Sequence, residues 1–319
     1  MRWSYFFIIV LFVLSACSNE PQQEESTPKR TLPKNVKIDR KAGPIPTKDG
    51  TYLYYQAMGS GPAIIIPNGS YLAGDFKLLQ DQYTLIFYDT RNRGRSQAIK
   101  DVKKLEGGIM KDVEDLETVR QHFKLEKVHL AAFGYQTIIP LLYTKQYPDR
   151  VEKIIKVSAM PPNTGKSYKV FQDSVNAQVA EAMTALDQRK DGLSDTDYCN
   201  EWWAQTRRMY TFVPGNAKRA LAQVCQYSNE RPRHMLAHYE EYILPSIQAL
   251  DLKKSDFSSI TQPVLVLHGT KDRVHALAGA KEWTKWLPNA KMAQIEIAGH
   301  LPWVDAQANV FKVMREFLQ

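Results

Sequence analysis

Short runs of consecutive apolar residues alternate with amphipathic stretches along most of this chain. The runs fall at 51–57, 62–67, 83–89, 127–133, 151–158, 263–269 and 293–299, and they are rich in Val, Ile, Leu, Tyr and Phe. Apolar runs this short predict strands buried on both faces. Between two of them, 108–123 places Met110, Val113, Leu116, Val119 and Phe123 at helical spacing, which predicts a helix. Strands alternating with helices imply a mostly parallel sheet covered on both sides. From about 163 to 256 the alternation stops and aromatic residues accumulate, among them Tyr168, Trp202, Trp203, Tyr210 and Tyr239. Strands then resume. The pattern predicts an α/β core of 41–162 and 257–319, interrupted by a helical cap at 163–256.

The first forty residues do not fit this alternation. Arg2 precedes an apolar run, Trp3 to Leu14, that is too short to span a membrane comfortably. The run ends in "LSAC", with Cys17 last. This resembles the lipobox of bacterial lipoproteins. The resemblance implies a signal peptide at 1–16, cleavage before Cys17, and acylation of that residue. The acyl chains would hold the protein on a membrane of the bacterial cell envelope without a spanning helix. Residues 17–40 then read as the acylated cysteine and a polar, Pro-rich, flexible tether.

Composition adds limits. The chain has 319 residues, 44% of them apolar, enough for a sizeable core. The net charge of +8 is scattered, and the densest cluster, "KDVKK" at 100–104, is short. A nucleic-acid-binding stripe would be longer and more concentrated, so no nucleic-acid partner is expected. No metal site or cofactor is expected either. Cys199 and Cys225 both lie in the cap. An oxidising compartment permits a disulfide between them, and two free buried thiols fit the sequence equally well.

Three stations follow strand ends, where parallel sheets bind ligands. The first is "LAAFGYQT", Leu130 to Thr137, at a strand-to-helix junction. A nucleophile elbow has this form, with a serine at the centre of a strained turn. Here the centre is Gly134, and the N–H of Tyr135 follows it at a helix N-terminus, well placed for an oxyanion. The second is "HGTKDRV", where Asp272 is the candidate orienting acid. The third is "AGHLPW", where His300 follows the last strand. The chain order of elbow, acid and histidine is that of a hydrolase triad.

These residues resemble the α/β-hydrolase superfamily over 41–319, and specifically its proline-iminopeptidase-like branch. "YDTRNRGRSQ" carries Asp89, Arg91, Gly94 and Ser96 in the family's D-x-R-x-x-G-x-S pattern; "IIIPNGSY" sits at its oxyanion loop; "QYPDRVEKIIKVS" and the terminal "GH-PW" also match. The resemblance implies a catalytic pair of Asp272 and His300, oxyanion N–H groups from Tyr135 and Ser70, and a pocket including Asn68, Gly69, Trp203 and Trp303. The departures cluster at the chemistry. Gly134 stands where the family has its serine, Ala132 and Gln136 replace the elbow glycines, Asn68 replaces a histidine, and Asn92 replaces the glycine after Arg91. In the cap, "YCNEWWAQ" offers Trp203 where the branch has its amine-binding glutamate, with Glu201 as the substitute candidate.

No other serine lies between Ser96 and Ser158. Ser96 and Ser158 read as structural, and Tyr135 is a poor nucleophile at an ordinary phenol pKa of about 10. His129 and His275 read as surface or packing residues, and His268 as a packing residue below the site. The expected protein is a membrane-anchored lipoprotein of hydrolase type without serine catalysis, acting on or binding a small-molecule or short-peptide ligand with ester or amide character. Two other readings are a non-catalytic binding lipoprotein, and a lyase or isomerase using His300 as acid–base.

Overall fold

Ile64 and Ile66 pack on one side of the central sheet while Ile65 packs on the other. That alternation is the two-residue period of a strand, and here both faces are apolar because both are covered. The computed structural model describes residues 41–319 apart from 68, 70, 71, 222 and 223. The leader, Cys17, the tether, Asn68 and Ser70 therefore lie outside the described residues.

Eight strands form one sheet: β1 (Ala42–Pro46), β2 (Tyr52–Met58), β3 (Ala63–Pro67), β4 (Thr84–Tyr88), β5 (Val128–Phe133), β6 (Val151–Val157), β7 (Val264–Gly269) and β8 (Ala290–Ile295). Their spatial order is β1-β2-β4-β3-β5-β6-β7-β8. β2 runs antiparallel to both neighbours, and every pairing from β4 to β8 is parallel. This is the expected α/β architecture.

Helices Ile109–His122, Ile138–Gln146 and Leu277–Trp286 cover one face through Val113, Leu116, Ile139 and Trp283; helix Gln307–Leu318 covers the other through Phe311 and Met314. Each such side chain contributes about 1.5–3 kcal/mol when removed from water.

Two strands differ from the sequence expectation. β1 is short and contains Pro44 and Pro46, so it gave no apolar run. β8 ends at Ile295 rather than continuing to 299. It is an edge strand with only Ile295 fully buried, and Ile297, at φ +55° and 61% exposed, breaks the extended backbone.

Between β6 and β7 the described residues form helices and turns without a strand. Asp173 caps helix Ser174–Asp187 by accepting from Val175 N, and Ser194 caps helix Asp195–Tyr210 by accepting from Asp197 N. Leu186, Tyr198, Trp202, Trp203 and Val224 form a separate apolar cluster there. Polar groups fasten this insertion to the sheet. Arg273, after β7, pairs with Asp173 and donates to the Arg208 and Thr211 carbonyls at 3.1 and 2.8 Å. Asp305 accepts from the backbone of Phe212 and Gly299 at 2.7 and 2.9 Å. Asn229 Nδ2 donates to the Ser96 carbonyl at 2.9 Å.

Candidate active site

β5 runs through the centre of the sheet and stops at Phe133. Gly134 follows with φ +62° and begins the tight turn that leads into helix Ile138–Gln146. Glycine adopts this left-handed conformation without strain, whereas another residue there costs about 1–3 kcal/mol. The turn is tied down by Thr137 Oγ1, which donates to the Gly134 carbonyl at 2.8 Å, and by Gln136 Nε2, which donates to Thr90 Oγ1 at 3.0 Å. Gln136 thus has a structural task of its own.

Asp272 lies three residues beyond β7. Its Oδ1 accepts from the N–H groups of Val274 and His275 at 2.7 and 2.8 Å, and its Oδ2 faces His300 Nδ1 at 2.8 Å. Burial would raise its pKa, but His300 more than offsets this and holds the carboxyl at about 2. Asp272 is therefore an anion, and His300 Nδ1 donates to it. The remaining nitrogen, Nε2, is the one nearest to where a Gly134 side chain would begin. The imidazole is packed by Phe133 and Tyr210, with ring centres 4.8 and 5.2 Å away.

These groups open on a cavity of about 300 Å³. Gly69, Gly134, Tyr135, Gln136, His275 and His300 form its sheet side, and Trp203, Tyr210, Leu221, Val224, Met235, Leu236 and Tyr239 form much of the rest. Arg93 and Glu230 also line it. Arg93 is paired with Asp112 and donates to the Tyr135 hydroxyl at 2.7 Å. Glu230 is pushed up to about 8 by burial and by the nearby Asp89 carboxylate. The walls are thus mostly apolar, with one carboxyl kept largely protonated at neutral pH.

Of the residues singled out in the sequence, the structure brings Gly69, Gly134, Trp203 and His300 around one cavity, with Asp272 behind His300. Trp303 is a correction. It is buried in the core, donates from Nε1 to Asp75 Oδ2 at 3.0 Å, and packs on Phe76 and Phe133 rather than lining the cavity. Glu201 is a second: it pairs with Arg189 on the exposed surface. His275 is a third. It lines the cavity with its ring centre 4.8 Å from that of His300. Its place just after the acid loop was the available signal. Glu230 was missed because its turn, Ser228–Glu230, has no periodic pattern.

The remaining candidates have structural partners. Burial raises the Tyr135 phenol to about 12, so it stays protonated. Ser96 Oγ bonds the Asp89 carbonyl, and Ser158 Oγ donates to the His300 carbonyl at 2.7 Å. Asn92 sits at φ +60°, a conformation that Asn tolerates, so it can stand where the resemblance has a glycine. His268 is fully buried, with Nε2 3.2 Å from Asp272 Oδ2, and His129 is buried in β5. Cys199 and Cys225 form a disulfide, which joins the helix carrying Trp203 to the turn carrying Val224. Among the described residues, no group of three or more His, Cys, Asp or Glu side chains could hold a metal ion.

A family model described as alpha/beta hydrolase fold matches residues 62–306. Among curated proteins, bifunctional epoxide hydrolase 2 from Sus scrofa is 23% identical over 317 residues; the match takes in 87% of this chain and 55% of that protein, so the chain spans about half its length. An esterase from Exiguobacterium antarcticum superposes with a TM-score of 0.64 at 19% identity, covering 86% of this chain and 98% of that one. The 2-hydroxy-6-oxo-6-phenylhexa-2,4-dienoate hydrolase from Rhodococcus sp. strain RHA1 gives 0.66 at 17% identity, covering 89% and 99%.

Proposed function

This chain belongs to the alpha/beta hydrolase fold family, and from that premise we propose that it is a lipid-anchored hydrolase that works without a covalent serine ester. The reading rests above all on the Asp272–His300 hydrogen bond of 2.8 Å, kept intact beside a glycine. His300 Nε2 takes a proton from water in the cavity, water attacks the ligand carbonyl, and the N–H of Tyr135 at the turn stabilises the oxyanion. The apolar walls favour a small ester, amide or peptide-like ligand of the kind the proline-iminopeptidase resemblance implies. Anchoring through Cys17 places the reaction at a membrane of the cell envelope.

Magnitude limits the substrate. In serine proteases, loss of the nucleophile costs about 10⁶ in kcat and leaves roughly 10³–10⁴ over water. Water attack at this site therefore suits activated esters and lactones better than ordinary amides.

Gly134 also favours a second reading. Glycine is the unstrained residue at φ +62°, and a protein selected only to bind its ligand gains stability from it. One comparison separates the two. Purified protein is screened against esters, lactones and amino-acid amides, alongside His300→Gln. Turnover that His300→Gln abolishes supports hydrolysis. Turnover that survives the substitution sinks the mechanism, and ligand binding without turnover in either protein supports the binding reading.

A further inference from the structure

His275 is a second imidazole in the cavity, and the mechanism above gives it no task. Its Nδ1 lies 2.9 Å from the Ser158 carbonyl oxygen. That oxygen can only accept, so Nδ1 carries the ring proton. Burial and the neighbouring His300 hold its pKa down at about 4. The ring is therefore neutral at neutral pH, and its Nε2 is an acceptor. No hydrogen-bond partner for Nε2 occurs among the described residues. The Asp272 bond assigns the same tautomer to neutral His300. Two acceptor nitrogens thus belong to rings whose centres are 4.8 Å apart and whose planes are perpendicular.

One residue is hydrogen-bonded to both histidines. Ser158 donates through Oγ to the His300 carbonyl at 2.7 Å and accepts through its own carbonyl from His275 Nδ1. It does so at φ +48°, a left-handed conformation that costs a serine about 1–3 kcal/mol. Backbone strain of this kind is kept where the surroundings over-determine it.

We propose that His275 is a positioning residue for the attacking water, accepting one of its hydrogens at Nε2 while His300 Nε2 accepts the other. The ring centres lie 4.8 Å apart, so both rings are within reach of one water in the cavity, whose two hydrogens span acceptors roughly 4.5 Å apart. Both protons are then committed, and the oxygen lone pairs face the ligand. In the reaction, the water oxygen bonds to the carbonyl carbon and its proton passes to His300 Nε2. The carbonyl π pair moves to oxygen. On collapse the bond to the leaving oxygen breaks, and that oxygen takes the proton back from His300. His275 exchanges no proton. Its contribution is orientation, which a serine enzyme obtains from the covalent bond that fixes its hydroxyl.

The inference rests on the serine-free hydrolysis proposed above, and p-nitrophenyl acetate serves as the probe for both. His275→Phe keeps the ring shape and removes the acceptor, while His275→Asn retains one. We expect His275→Phe to lower kcat on the order of 10²-fold with KM little changed, and His275→Asn to recover part of the loss. In a Gly134→Ser background the serine hydroxyl replaces water in the first step, so His275→Phe should leave the acylation burst intact. A burst that falls as far as the wild-type turnover does would mean a merely structural role and overturn the inference. Turnover lost in His300→Gln but kept in His275→Phe removes this inference alone. Absence of turnover in the unsubstituted protein removes both proposals together.

Discussion

A Cβ built on Gly134 would have His300 Nε2 as its nearest non-neighbouring atom, at 3.9 Å. The backbone at Gly134 makes a left-handed turn, and His300 is hydrogen-bonded to Asp272. A serine Oγ at residue 134 would therefore fall within hydrogen-bond reach of the base. Gly134→Ser is expected to gain labelling by a fluorophosphonate, seen as a mass increase on the intact protein, while the unsubstituted chain stays unlabelled at this turn. The same substitution should lower stability by about 1–2 kcal/mol, because a side chain is strained at this φ. Gly134→Ala should show the stability loss without the label.

Asp272 ties acid sensitivity to the site. Its carboxyl is held at about 2 in the folded protein, below the ordinary value near 3.9. A lowered pKa stabilises the fold above the unfolded value, and that stability is lost as pH falls toward the folded value. Asp272→Asn should remove an acid-dependent contribution of about 2 kcal/mol. Denaturant unfolding of both proteins at pH 5 and at pH 2.5 checks this: the difference between them should narrow at the lower pH.

Glu230 works in the opposite direction. Burial and Asp89 push its pKa up to about 8, so the folded state binds a proton that the unfolded state releases. That contribution is present in acid and lost as pH rises through about 8. The stability of the unsubstituted protein, measured relative to Glu230→Gln, should fall between about pH 5 and pH 8. A flat difference across that range would mean that Glu230 is ionised in the fold.

Lys156 is fully buried in β6, where its Nζ donates to the Thr137 carbonyl at 2.9 Å. Burial lowers its pKa well below the ordinary lysine value. The unfolded chain therefore binds more protons, and stability should rise with pH toward the alkaline range. Lys156→Met should raise Tm at pH 7 and flatten that alkaline rise, as thermal unfolding between pH 7 and pH 10 would show.

The Cys199–Cys225 disulfide closes a loop within the insertion. Chain entropy assigns such a loop about 3–4 kcal/mol. Replacing both cysteines by serine should destabilise the protein by up to that amount. Hydrogen exchange should show the loss first around Trp203 and Val224, with the sheet less affected, because the crosslink joins the two cavity-lining segments that these residues occupy.

The scaffold was legible because its signals are local. Consecutive apolar residues marked β3 to β7 to within a residue or two, and the order of Gly134, Asp272 and His300 marked the three strand ends where the site forms. Trp303 was misplaced because the "PW" just after His300 does not reveal which way the ring turns; the Asp75 carboxylate and the Phe76 ring, far away in the chain, draw it into the core. Glu201 fell on the wrong face of its helix for the same reason.

What the sequence determined by itself was therefore the sheet, the helical insertion and a glycine at the elbow, since each depends on neighbours in the chain. Tertiary structure alone decided that His275 stands beside His300, that Glu230 enters the cavity, and that two cysteines meet. Those contacts join segments tens of residues apart, and burial at the junction, rather than any local pattern, sets their chemistry.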